Sequence, residues 1–160
     1  MKRSLLLLVA LLAAGCASYD GNTLKAGVST EAEVRGVMGQ PAAEFAAGDG
    51  SRRLAYPRGP MGTQTFMADV GPDGRVTSVR QVLNDDTFHQ IRAGMTRDEI
   101  LRLIGPPGDT MAFQRLRQTS WEWRYVDVWG YHAIFSVNFD ENSVVVSKFT
   151  RRLERDKGMF

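Results

Sequence analysis

The sequence predicts an α+β protein made of two tandem ααβββ units, in each of which two helices pack on a three-stranded antiparallel sheet. Three observations predict this class. A pattern of residues recurs about 67 positions apart, each copy begins with a helix-start signal, and the apolar period changes from 3.6 to 2 behind each predicted helix.

The N-terminus has the pattern of an export signal. Lys2 and Arg3 precede an apolar run of ten residues, 5–14. About 20 residues are needed to span a bilayer as a helix, so this run is typical of a signal-peptide core.

The stretch that ends in Cys16, the sole cysteine, resembles the lipobox of bacterial lipoproteins. The resemblance implies cleavage between Gly15 and Cys16 and acylation of the Cys16 sulfur, the only covalent group expected. Several acyl chains, at about 0.8 kcal/mol per buried methylene, give stable attachment. By the same resemblance, Ala17 and Ser18 imply the outer membrane, facing the periplasm. The other reading is a signal cut at an Ala-x-Ala-like site that leaves a free thiol.

The internal repeat divides the rest of the chain. Residues 24–28 recur as 91–95, and a threonine with a glutamate three positions later follows in each copy, as Thr30 with Glu33 and Thr96 with Glu99. This pair is a capping box, which starts a helix. The predicted organisation is a signal peptide over 1–15, a lipidated linker over 16–22, a diverged first unit over 23–83, and a second unit over 84–160 with a basic tail.

Each capping box is followed by a helical pattern and a stop. The apolar positions at helical spacing are Val34, Val37 and Met38 in the first copy and Ile100, Leu103 and Ile104 in the second. Gly39 and Gly105, each followed by proline within two residues, predict the helix ends. A further short helical turn is predicted ahead of each helix, most clearly over 87–92.

Strand patterns follow each helix. Alternating apolar residues predict strands around 66–70 and from 76 in the first copy, and around 121–125, 135–139 and 143–149 in the second. Gly36 inside a helix, Pro57 at the edge or end of a strand, and an Ala/Gly-rich loop over 42–50 indicate that the first unit is the looser one.

The second unit is rich in aromatic residues. Trp121, Trp123 and Tyr125 alternate and so share one sheet face, which favours a core position, although a protein-binding surface is the other reading. Trp129 and Tyr131 flank Gly130 in a predicted hairpin and are the better candidates for contact with a partner.

The charge is balanced once the signal peptide is removed. Lys2 and Arg3 leave, and 18 basic residues then face 18 acidic ones, so the sequence gives no reason to expect nucleic-acid binding. The local excess lies in 148–157, with five basic and two acidic residues. Arg151 and Arg152 are therefore candidate contacts for an acidic partner or headgroup, unless this tail is simply solvated.

Signatures of catalysis are missing from the sequence. His89 and His132 lack neighbours at metal-ligand spacing, and no phosphate-binding loop or nucleophile elbow occurs. We therefore predict a protein that is not an enzyme and that has no metal, no cofactor and no small-molecule substrate.

The second repeat resembles the SmpA/OmlA domain of BamE-like outer-membrane lipoproteins. The residues that carry this resemblance are Gly94, Met95, Thr96, Glu99, Gly105 and Pro107. It implies a scaffold in the machinery that inserts β-barrel proteins into the outer membrane. Two tandem copies also resemble β-lactamase inhibitory proteins, which implies a module that grips another protein. A purely structural envelope lipoprotein is a third reading.

Overall fold

The computed structural model describes residues 20–153, within which the chain forms three short α-helices and two separate four-stranded antiparallel sheets. The predicted cleavage site at Gly15 and Cys16 lies outside the described residues.

The elements of the first unit are α1 (Glu31–Met38), β1 (Ala43–Ala46), β2 (Arg52–Pro57), β3 (Thr65–Val70) and β4 (Val76–Gln81). Those of the second are α2 (Asp85–Gln90), α3 (Arg97–Ile104), β5 (Asp109–Phe113), β6 (Gln118–Val126), β7 (His132–Phe139) and β8 (Val145–Arg152).

Both predicted capping boxes are confirmed. The Thr30 hydroxyl accepts a hydrogen bond from the Glu33 amide at 3.3 Å, and the Glu33 carboxylate accepts one from the Thr30 amide at 2.6 Å. Thr96 and Glu99 repeat this pair at 3.3 and 2.7 Å. These bonds satisfy amides that otherwise lack partners at a helix start.

The repeat is also visible in how each helix is joined to its sheet. The Gly27 amide donates to the Val76 carbonyl at 2.8 Å, and the Gly94 amide donates to the Val145 carbonyl at 2.9 Å. In each unit the chain ahead of the helix is thus bonded to the start of the last strand, which is β4 in one case and β8 in the other.

The predicted ααβββ arrangement is wrong in two respects. Each sheet has four strands, in the orders β1-β2-β3-β4 and β5-β6-β7-β8, and the fold is mostly β. In the described part of the first unit α1 is the one helix, since residues 21–28 form turns. The additional strands are β1, inside the segment predicted as a loop over 42–50, and β5.

The two missed strands have a common physical cause. Both are edge strands of only four or five residues. β5 is exposed along its length, and β1 buries only Ala43 and Phe45 in part, so neither strand shows an apolar alternation long enough to recognise. They are held by backbone pairing to β2 and β6. Pro57, in contrast, is the last residue of β2, as its missing amide hydrogen predicts.

The elements stack as four layers. Val34 and Met38 of α1 pack on one face of the first sheet, against Leu54, Tyr56 and Ala68. The opposite face of this sheet, with Ala55 and Met67, belongs to a second core that it shares with α2, α3 and the inner face of the second sheet. The residues that line this second core from the second unit include Phe88, Ile100, Ile104, Trp123, Tyr125, Phe135 and Phe139.

The two units are joined through α3. Helix α3 ends at Gly105, whose Cα lies close to the first sheet. A Cβ added to it would lie 3.0 Å from Thr65 Cγ2 and 3.3 Å from Met67 Cε. The Arg102 guanidinium donates to the Ala46 carbonyl at 3.1 Å, and Arg53 donates to the Arg102 carbonyl at 3.0 Å. The units therefore share a core around α3 rather than one continuous sheet.

This close approach makes Gly105→Ala a test of the packing between the units. Gly39 ends α1 with a similar backbone, at φ +84° against +78° for Gly105, but an added Cβ there meets nothing within 4 Å. An L-residue costs about 1–3 kcal/mol at either position because of its backbone conformation. We expect Gly105→Ala to lower the free energy of unfolding by about 1 kcal/mol or more beyond Gly39→Ala, because it also overpacks the core.

The measurement is urea unfolding of both variants beside the wild type. Equal losses of stability in Gly105→Ala and Gly39→Ala would show that α3 does not press against the first sheet.

Candidate protein-binding surfaces

The alternating aromatic residues of β6 lie on the core face. Trp123 and Tyr125 are each 2% exposed, and Trp121 is partly buried against the same core. Trp123 Nε1 donates to the Pro106 carbonyl at 3.0 Å, and the Tyr125 hydroxyl donates to Asp85 Oδ1 at 3.1 Å. Burial raises the pKa of the Tyr125 hydroxyl. These side chains hold α2 and α3 on the sheet, as the core interpretation predicts.

The turn between β6 and β7 presents the second aromatic group to solvent. Trp129 is 74% exposed and Tyr131 is 43% exposed, with Val128 beside them. We call residues 126–132 the aromatic hairpin.

Asp127 fixes the conformation of this hairpin. Its Oδ1 accepts hydrogen bonds from the amides of Trp129 and Tyr131, both at 2.9 Å, and the Asp127 amide donates to the Tyr131 carbonyl at 2.9 Å. Aspartate is favoured in such turns because its side chain bonds the backbone that follows it. Two large side chains are thus exposed on a short loop whose backbone is held by four hydrogen bonds to Asp127 and Tyr131.

Arg152 completes the group from the neighbouring strand. Its Nε lies 2.7 Å from Asp127 Oδ2, and its guanidinium lies 4.9 Å from the centre of the Tyr131 ring. Burial tends to raise the pKa of the Asp127 carboxyl, but the amide bonds from Tyr131 and Trp129 and the pairing with Arg152 outweigh it, so the pKa is lowered. The carboxylate that organises the hairpin therefore stays ionised at neutral pH.

The structure thus brings three of the four candidate contact residues together. Trp129, Tyr131 and Arg152 form one surface, and the approach of Arg152, from β8, could not be deduced from the hairpin sequence alone. Arg151 points to the other face of the second sheet, beside Ile134 in the register of β7 and β8.

The residues that carried the family resemblance surround α3 and have structural positions. Gly94 adopts φ +91° and bonds to β8, and the Met95 carbonyl accepts from the Val145 amide at 2.8 Å. Thr96 and Glu99 form the capping box, Gly105 ends the helix, and Pro107 lines a small cavity beside Trp123.

The second sheet has a further exposed surface, which the sequence patterns did not predict. We call it the outer face: the side of the second sheet that points away from α2 and α3. Its side chains form three adjoining rows that cross the strands. The first row is Met111, Ser120, Asn138 and Ser147, and the second is Asp109, Glu122, Ser136 and Phe149. The third row is Arg124, Ile134 and Arg151. Together with Phe113 and Leu116, several of these residues line a shallow groove. No described helix or strand covers this face.

Neither a metal site nor a membrane-spanning helix is found among the described residues. Residues 20–153 contain no cluster of three or more histidine, cysteine or carboxylate side chains that could hold a metal ion, and no helix among them could cross a bilayer. A cavity at the rim of the first sheet is lined by charged residues, but Arg53 pairs with Asp69, and Arg52 pairs with Glu31.

Comparisons with known proteins give weak similarities of fold. No family model matches the chain, and no curated protein matches it. One solved structure that matches is a DUF4309 family protein, YjgB, from Bacillus subtilis, at 12% identity, 82% coverage of this chain, 84% of that chain and a TM-score of 0.32. Another is a "putative beta-lactamase inhibitor protein" from Streptococcus mutans, at 13% identity. The match covers 83% of this chain and 93% of that chain, with a TM-score of 0.31. TM-scores near 0.3 support no conclusion about function.

These findings correct the predicted resemblance to BamE-like lipoproteins. The structures matched above belong to other groups, and each sheet has four strands where the resemblance implied three. The motif behind it consists of a capping box, which starts helices in many folds, and a glycine stop, which ends them. The resemblance was therefore wrong, and the scaffold role in barrel assembly that it implied has no remaining support.

The organising role of Asp127 is testable by hydrogen exchange. Asp127→Ala removes the acceptor for the Trp129 and Tyr131 amides, and the loss of hydrogen bonds to a charged group should speed their exchange about tenfold or more. The measurement is amide exchange by NMR at fixed pH.

Asp140 offers a matched control, because it bonds the Asn142 and Val144 amides in the same way in the turn after β7. Asp140→Ala should leave exchange at Trp129 and Tyr131 unchanged. Unaltered exchange in Asp127→Ala would mean that Asp127 does not hold the hairpin.

Proposed function

We propose that this protein is a non-catalytic protein-binding module of the cell envelope, which grips another protein with the aromatic hairpin. The observation that carries the proposal is the combination of exposure and order at one loop. Trp129 and Tyr131 are exposed, while Asp127 and Arg152 fix the backbone that bears them.

Energetic arguments support this reading. Tryptophan, tyrosine and arginine are the side chains that contribute most often to binding hot spots. A loop that is already ordered loses less conformational entropy when a partner binds, so more of the contact free energy appears as affinity.

The shape of the hairpin favours a role for this protein as an inhibitor of its partner. Trp129 and Tyr131 lie in a tight turn at the end of two strands, which is a convex feature. Its complement on another protein is a concave cleft, and clefts of that kind are where enzymes bind their substrates. We therefore propose an enzyme with an open cleft as the partner.

The proposed lipid anchor would hold this module close to the membrane. Only residues 17–19 separate Cys16 from Asp20, and at up to about 3.6 Å per residue they place Asp20 within about 15 Å of the anchored sulfur. Gly21 is already buried against Met38 and Val79, in the α1 layer. The hairpin belongs to the second sheet, the layer farthest from α1, and so is free to meet a partner.

Replacing Cys16 by serine tests the anchor. Without the thiol there is no site for acylation, so we expect the protein to be released to the soluble fraction or to keep its signal peptide. Fractionation and mass spectrometry of the N-terminus would measure this. A cleaved Cys16→Ser protein that stays in the membrane would overturn the lipid-anchor proposal and would leave the hairpin proposal standing.

Photo-crosslinking from position 129 tests the hairpin. A photoreactive phenylalanine analogue at Trp129 should give a discrete adduct in cells that express the protein. The same analogue at Val28, which is 62% exposed on the first unit, should give none. The same adducts from both positions, or none from 129, would contradict the proposal.

Affinity for the crosslinked protein then measures the contribution of the rings. Trp129→Ala should weaken binding about 30-fold, as expected for a hot spot of about 2 kcal/mol, whereas Val128→Ala, at an equally exposed neighbour without a ring, should change it little. If the partner is an enzyme, the wild-type protein should inhibit it stoichiometrically and Trp129→Ala should not. Binding without inhibition would reject the inhibitor reading alone.

A further inference from the structure

The outer face of the second sheet and its hairpin hold most of the exposed apolar surface. Of the eleven large hydrophobic residues that are exposed in the described part of the chain, six lie on this face or on the loops beside it, and three more lie at the tip of the aromatic hairpin. Those on or beside the face are Met61, Met111, Phe113, Leu116, Val126 and Phe149. A concentration of this kind on one sheet face is typical of a surface that becomes covered.

The charges on the outer face are arranged in two adjacent rows of opposite sign. Arg124 and Arg151 flank Ile134 in one row, and Asp109 and Glu122 lie in the next row, two residues along the strands. Within residues 20–153, neither arginine has an ion-pair or hydrogen-bond partner, and neither carboxylate takes part in an ion pair. The backbones of the two rows are about 7 Å apart along the strands, so two unpaired cations lie beside two carboxylates that have no cationic partner.

From this pattern we propose that the outer face binds the same face of a second copy of this chain. A two-fold axis that runs across the strands, between the two rows, places the basic row of each copy opposite the acidic row of the other. Arg124 then faces Glu122 of the second copy. A uniformly acidic partner would be repelled by Asp109 and Glu122, and a uniformly basic one by the arginines, whereas a second copy forms the Arg124–Glu122 pair twice, once in each direction.

The floor of the face indicates a reversible association. It consists of small polar residues, among which Ser120 Oγ and Asn138 Oδ1 are buried without a hydrogen-bond partner in the described structure. Permanent dimer interfaces resemble the core of a domain, and this face does not. Two copies tethered in one membrane meet at a high effective concentration, so a weak interface suffices.

This inference does not depend on the proposed function, because the hairpin lies at the end of the sheet. Pairing through the outer face leaves Trp129 and Tyr131 of both copies available, so a dimer presents two hairpins. Failure of either proposal would leave the other intact.

Charge reversal provides the test. The first variant, Arg124→Glu with Arg151→Glu, makes the face acidic, and the second, Asp109→Lys with Glu122→Lys, makes it basic. Sedimentation velocity of the mature lipidated protein in detergent would give the monomer–dimer equilibrium of each. We expect the wild type to dimerise reversibly and either variant alone to have a dissociation constant raised on the order of tenfold or more, because like charges then face each other.

The decisive measurement is the mixture of the two variants. The acidic and basic faces complement each other, so the mixture should form a 1:1 heterodimer at concentrations at which each variant alone is largely monomeric. This recovery also shows that the variants are folded, which circular dichroism would confirm independently. A wild type that stays monomeric up to about 1 mM, or a mixture that does not associate, would overturn the proposal and would leave the face to a different protein.

Discussion

Helix α3 packs on both sheets at once, and the rest of the structure depends on this contact. Ile100 and Ile104 lie in a core to which the first sheet contributes Ala55 and Met67 and the second contributes Trp123 and Phe135. Because a glycine ends the helix, its backbone can approach Thr65 and Met67 closely. One face of each sheet is thereby buried on the same helix. Since α1 covers the remaining face of the first sheet, the outer face of the second sheet is the one left without a covering element in the described structure.

The hairpin shows how an ordinary turn becomes a binding feature. The turns after β6 and β7 have the same hydrogen bonds, organised by Asp127 and Asp140. The second carries the polar residues Glu141 and Asn142, with Glu141 paired to Arg117, whereas the first carries Trp129 and Tyr131. Order in the backbone is therefore a property of the turn, and the proposed function depends on the side chains that one copy of it presents. Arg152 adds a contact that the other turn lacks.

The local signals in this sequence are specific for helix ends and strand faces but not for a family. The structure confirms three local predictions: the capping boxes, the glycine ends of the helices and the buried face of the aromatic strand. They did not determine how many strands follow a helix. β1 and β5 are short edge strands that pair with β2 and β6. β5 is exposed along its length and β1 buries only Ala43 and Phe45 in part, so neither gives a clear period in the sequence. A fold inferred from local signals alone can therefore lack its edge strands.

The helix ends, the hairpin turn and the inward faces of β6 and β7 could be predicted from the sequence, because each depends on residues within a few positions of one another, and the repeat could be found by comparing the chain with itself. The sequence also singled out Trp129 and Tyr131 as exposed. Only the tertiary structure decided that α3 joins the units, that Arg152 reaches Asp127 across 25 residues, and that Arg124, Arg151, Asp109 and Glu122 form opposed rows. These relations arise from strand register and layer order, which bring together residues that no local pattern connects.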